Sequence, residues 1–304
     1  MTTPSARPPQ AAPATERTWP PGGGCDCGRR RFAASTFTAL LSGPLAWRAA
    51  SAQPSAASNL PECRRSGFTQ LVAAEEMEQA SAQQYAQMLQ QARAKGALAP
   101  PDEPALQRLR NIARRLIPYA TACNGAAARW RWEVNLIGSD QVNAFCMPGG
   151  KIAFYSGILD RLRLSDDEVA MVMGHEMAHA LLEHASERVG KTATTQGLLE
   201  VGAALFGLGD LGRLAGGLGT QLLSLRFSRS DESEADALGL VLGAEAGFDP
   251  RASVSLWQKM GAASGGAPPQ WLSTHPSNGT RIRELQARLP RAQQLYAQAR
   301  RIRS

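Results

Sequence analysis

The chain has 304 residues, 43% of them hydrophobic and 19% charged, a balance that excludes an intrinsically disordered protein and allows one sizeable domain or two small ones. A formal charge of +7 suits an acidic partner at first sight. Six arginines against Glu16 and Asp26 before residue 53 carry +4 of it, and with no stacked basic–aromatic stripe the sequence argues against nucleic acid as a partner.

Residues 1–28 are rich in Pro, Ala, Thr and Gly and cannot build a core. Gly28-Arg29-Arg30-Arg31-Phe32 is followed by an apolar run from Ala33 to Trp47 without an acid, then by Ala50-Ser51-Ala52. A cationic patch, an apolar stretch and an A-x-A site read as an export signal cleaved after Ala52. The apolar run is too short and weak to span a bilayer well, and an uncleaved amphipathic anchor is the alternative. Arg-Arg-x-Phe resembles a twin-arginine signal. The expected organisation is therefore an export signal over 1–52, a linker over 53–64, a domain over 65–290 and a basic C-terminal helix over 291–304, with the mature chain periplasmic. Cys25 and Cys27 have no second pair at zinc-ribbon spacing. Cys63 and Cys123 can form a disulfide in an oxidising compartment, and Cys146 reads as buried and inert.

In the mature part, Val72 to Lys95 reads as a helix ending at Gly96. Residues 99–104 are a break, and a second helix runs from Ala105 to about Ile117, stopped by Pro118. Trp130 to Ile137 alternates like a strand. Val142–Met147 and Lys151–Tyr155 flank Pro148-Gly149-Gly150 and read as a hairpin, and Ser156 to Leu164 as a short helix. Ser165 and Glu168 have capping-box spacing and open a helix to about Val189, apolar on nearly all sides and so central to the domain. Gln196 to Leu225 is apolar and glycine-rich. Asp210 and Arg213 near its middle make it a poor transmembrane span, but a candidate for peripheral membrane contact. Helices are expected over Ser228 to Ala246 and over 251–260, a loop over 262–269, and one or two basic helices over 278–303.

The chemistry centres on His175-Glu176-Met177-Ala178-His179. Residues four apart on a helix lie about 40° apart around its axis, so both imidazoles face one way and can chelate one Zn²⁺ per chain. Glu176, displaced around the helix, reaches water without binding the metal. A catalytic zinc needs a third protein ligand. A metzincin would place histidine at 185 and glycine at 182; those positions hold Ala185 and Leu182. His184, on a continued helix, points to the opposite face, and Glu183 on the same helix gives poor tetrahedral geometry. The best candidate is Glu232, with Asp236 one turn on accepting a hydrogen bond from a ligand histidine, His175 first. Glu234 points away. Read alone, His275 is a loop histidine.

HExxH followed by the E-x-x-A-D of Glu232 to Asp236 resembles the gluzincin family that includes the HtpX, BepA and CAAX prenyl protease enzymes. Val142-Asn143-Ala144-Phe145 with Pro148-Gly149-Gly150 looks like that family's substrate-flanking strand and turn. Ser228-Arg229 and Thr274-His275-Pro276-Ser277 with Arg281 are similar too. The resemblance implies an α+β, mainly helical domain with a small substrate-flanking sheet and a central HExxH helix. It implies zinc on His175, His179 and Glu232, a base at Glu176, and substrate contacts at Asn143, Ala144 and Phe145. His275, supported by Arg281, would stabilise the oxyanion or cap the zinc at rest. The expected activity is endopeptidase action on unfolded or misfolded exported proteins. The alternative is a chaperone-like assembly factor with a closed zinc site.

Overall fold

The computed structural model describes residues 17–19, 61–195, 226–263, 270–275 and 279–303. The rest of the expected signal, most of the linker and the apolar segment 196–225 lie outside the described residues.

The fold is α+β and mainly helical. Helix α1 (Ala74–Ala94) is built of straight-chain residues that lose little rotamer freedom in a helix, and buries Met77, Tyr85 and Ala92 along one face. Helix α2 (Pro104–Ala120) opens with proline in its first turn, where the missing N–H costs nothing. It runs past Pro118, the expected stop. Leu116 and Ala120 lie on the same fully buried face, and their packing offsets the lost hydrogen bond.

Strands β1 (Glu133–Ile137), β2 (Ala144–Met147) and β3 (Lys151–Tyr155) form one sheet in the order β1-β3-β2. β1 pairs parallel and β2 antiparallel with β3, so the expected hairpin is present and β2 is an edge strand. After α3 (Ser156–Leu162), α4 (Asp166–Leu181) begins with the expected capping box, Ser165 N donating to Glu168 Oε2 at 2.8 Å and Glu168 N to Ser165 Oγ at 3.2 Å. Every residue from Glu168 to Leu181 is buried, which makes α4 the centre of the domain.

The helix expected to run to Val189 is broken. Glu183 takes φ of 59°, and a new helix α5 (His184–Thr195) leaves in another direction. A left-handed glutamate is unfavourable by itself. It is held by Asn124, whose Nδ2 donates to Leu181 O at 3.1 Å and Glu183 Oε1 at 3.2 Å, and by Arg65 at 2.5 Å. The Cys63–Cys123 disulfide lies beside both clamps. Helix α6 (Arg229–Glu245), capped by Ser228, crosses α4 at two glycines. A Cβ on Gly174 would lie 2.8 Å from Gly239 O, and one on Gly239 2.7 Å from His175 N. Helices α7 (Ala252–Ala262), α8 (Gln270–Thr274) and α9 (Gly279–Arg303) complete the described residues. The short α8 was not foreseen. α9 is one helix through Pro290, held by buried Leu285, Ala292 and Ala299.

Candidate metal centre

α4 and α6 bring the expected ligands together. His175 Nε2 and His179 Nε2 stand 3.1 Å apart. Glu232 Oε2 lies 3.6 Å from the first and Oε1 3.5 Å from the second. Four donors around zinc at bond lengths near 2.05 Å are separated by about 3.3 Å in a tetrahedron, so the three side chains already have the spacing the ion requires. All three are at most 4% exposed. His179 is pushed well below the ordinary histidine range, by burial first and then by its cationic and imidazole neighbours. It is thus neutral, as a metal ligand must be. Glu232 is held below the ordinary carboxylate range: burial raises it, but His275, His175 and Arg281 outweigh that.

The fourth corner is filled by His275. Its Nδ1 stands 3.3 Å from His175 Nε2 and 3.0 Å from Glu232 Oε1. It lies in the bend just after α8, 3% exposed, with its N–H donating to Trp271 O at 2.8 Å.

Asp236, one turn after Glu232, lies 3.0 Å from His175 Nδ1. The distance is that of a hydrogen bond, though the angle falls short of one, leaving Nδ1 without an aligned partner. Arg281 braces both acids, with Nε and Nη2 each 2.7 Å from Asp236 and Nη1 2.5 Å from Glu232, and stacks 3.8 Å above the Trp257 ring. Burial raises the Asp236 carboxyl, but Arg281 and His175 bring it down to about 2.

Two neighbours, Trp271 and Phe227, escaped the sequence reading, and a third, His184, is placed differently from it. Trp271 Nε1 donates to Glu176 Oε1 at 2.6 Å, and His275 Nε2 is 3.6 Å from the same oxygen. Phe227 stacks on His179 at 4.0 Å. His184, expected on the opposite face, is folded back by the Glu183 turn so that its Nδ1 lies 2.9 Å from His179 Nδ1. It is 1% exposed; its Nε2 has no aligned partner and stands 3.5 Å from Glu234 Oε2. Glu234 therefore serves His184, not the metal. A second acidic group, His184, Glu187 and Asp231, has its acids engaged. Asp231 accepts from Ser228 N and Oγ, and Glu187 pairs with Lys191.

The cleft beside the centre is walled by β2, Glu176, His179, Phe227 and His275. Asn143 turns its Oδ1 to Ala144 N and its carbonyl to Tyr155 N, both at 3.0 Å. Ala144 is buried, and the Phe145 ring packs against Tyr85 and Tyr155. What this stretch offers the cleft is mainly backbone. Trp271 N already uses one carbonyl there, Val142 O, at 3.0 Å.

A model described as peptidase family M48 matches residues 106–289. The chain is 39% identical over 165 residues to the mitochondrial metalloendopeptidase OMA1 of Schizosaccharomyces pombe, covering 54% of this chain and 48% of that one. To the metalloprotease LoiP of Escherichia coli it is 30% identical over 207 residues, covering 67% and 78%. To the beta-barrel assembly-enhancing protease of Yersinia pestis it is 28% identical over 192 residues, covering 60% and 38%. The chain spans about half the length of the fission-yeast relative and less than that of the plant and human ones.

Proposed function

This chain belongs to peptidase family M48, and from that premise we propose that it is a zinc metalloendopeptidase acting on extended polypeptides. The observation that carries the reading is the tetrahedral spacing of His175, His179 and Glu232 with Glu176 alongside. Zinc held by those three supplies Lewis-acid polarisation of a peptide carbonyl and acidification of water. Glu176 takes the proton of the attacking water and returns it to the leaving amine. Asp236 orients His175, and Arg281 fixes Asp236 and Glu232. An extended substrate lies along the β2 edge at Asn143, Ala144 and Phe145. It pairs through main-chain hydrogen bonds that read shape more than side-chain identity.

Such binding suits unfolded or misfolded exported proteins, and envelope quality control is the setting we infer. The leader-like residues 1–52 support export, and the Cys63–Cys123 disulfide supports an oxidising compartment. A relative named for beta-barrel assembly fits envelope work. The domain is taken as 65–290. A second reading, a latent enzyme or assembly factor with a capped site, is favoured by His275 at the fourth corner and by Trp271 holding the base.

Glu176→Gln tests the assignment. It is expected to keep one zinc per chain by metal analysis and to lose casein hydrolysis by on the order of 10²–10⁴-fold. Full hydrolysis in that variant would remove Glu176 as the base. Rescue of a deletion strain by the same variant would favour the assembly-factor reading.

A further inference from the structure

Three residues of the leader-like segment, Arg17, Thr18 and Trp19, pack on the folded domain. Trp19 N donates to Gly96 O at 2.7 Å, and its indole Nε1 donates to Ala97 O at 3.2 Å. The ring is partly buried against the main core. Arg17 pairs with Asp160 of α3 and lies 5.8 Å over the Trp19 ring. The receiving surface exists only in the folded chain. Gly96 ends α1, and Ala97–Ala99 is laid along the end of β1 by Gly138 N to Ala97 O at 2.7 Å and Ala99 N to Leu136 O at 3.0 Å. Gly138 completes it: a Cβ there would sit 2.3 Å from Arg17 O, and its three nearest atoms would all belong to Arg17. The position is shaped to admit that backbone.

We propose that Arg17-Thr18-Trp19 is a docking clip. The folded domain recognises an extended Arg-x-Trp segment, here its own, in a groove formed by Gly96, Ala97, Gly138 and Asp160. The groove lies on the β1 side of the sheet, while the metal cleft runs along β2 at the other edge, so it is separate from the substrate site. Two main-chain acceptors and the partly buried indole provide the hold. The Arg17–Asp160 pair is half-exposed on both sides and contributes direction more than energy. The clip ties the chain ahead of the Arg29-Arg30-Arg31 patch to a completed fold. A cut after Ala52 would therefore leave the released segment seated on the domain. This inference does not depend on the proteolytic reading.

The test is limited trypsin digestion of the full-length chain, following the Arg17–Thr18 bond by mass spectrometry in wild type, Gly138→Ala and Trp19→Ala. Proteolysis tracks the population of the open form, so the bond should be cut at least about tenfold more slowly in wild type than in either variant. Zinc content and casein hydrolysis should be unchanged in both, because neither residue touches the metal cleft. Equal cleavage rates in all three chains would overturn the clip. Should Gly138→Ala lose its cooperative melt, Trp19→Ala alone decides, since it alters only the docked segment.

Discussion

At the residue scale, the four histidines of the chain do three different jobs. His175 and His179 are set by helical spacing, His275 faces them from a separate element, and His184 stands behind His179. If His275 is a resting cap, His275→Ala will raise basal casein hydrolysis without loss of zinc. A fall of about 10²-fold would instead assign it to the oxyanion. With metal on His179 Nε2, its Nδ1 carries the proton and donates to His184 Nδ1. His184 then sets the tautomer and orientation of the ligand. His184→Ala should weaken zinc binding by about 10–100-fold in a chelator competition, and His184→Asn should recover part of it. Unchanged zinc affinity would leave His184 a packing residue.

At the element scale, ligand geometry depends on how closely α4 and α6 approach. The Gly174–Gly239 crossing lets two backbones touch beside His175, and one and two turns before it on α6 stand Asp236 and Glu232. Gly239→Ala puts a methyl group against His175 N, where there is only backbone to give way. Overpacking of this kind costs about 1–3 kcal/mol. It should lower the melting temperature and reduce zinc per chain, the acids being pushed away from the imidazoles. A variant with wild-type melting and full zinc would show that the crossing does not set the site. The break between α4 and α5 is of the same kind. Glutamate carries no turn signal, and Glu183 is held left-handed by Asn124 and Arg65, which are remote in sequence.

At the scale of the whole molecule, the start of α4 is tied to α7. Glu168, 3% exposed, accepts from Lys259 Nζ at 2.6 Å and Ser255 Oγ at 2.8 Å besides its capping bond. Burial raises its carboxyl, but Lys259, the Ser165 N–H and Ser255 outweigh that and hold it below the ordinary value of 4.5. A folded-state pKa below the unfolded one means stability that is fully present above that ordinary value and lost as pH falls through the folded one. Glu168→Gln keeps the capping geometry and removes the titration. It should be less stable than wild type at pH 7, and the difference should shrink on acidification below pH 4.5 in urea melts. A pH-independent difference would mean that the ion pair contributes nothing.

Helix and strand periodicity, the capping box at Ser165, the hairpin turn and the HExxH pair were legible because each is a local pattern with a local physical cause. Glu232 and Asp236 were legible as a pair on one face, and resemblance supplied their meeting with α4. Tertiary structure alone decided the rest: the left-handed Glu183 that turns His184 onto His179, the grip of Trp271 on Glu176, the stacking of Phe227, and the seat of Trp19. Each depends on groups far apart in the chain, Asn124 and Arg65 in the case of Glu183. Local spacing carries no information about such contacts; they are set only when helices pack closely enough to override the preference of each residue alone.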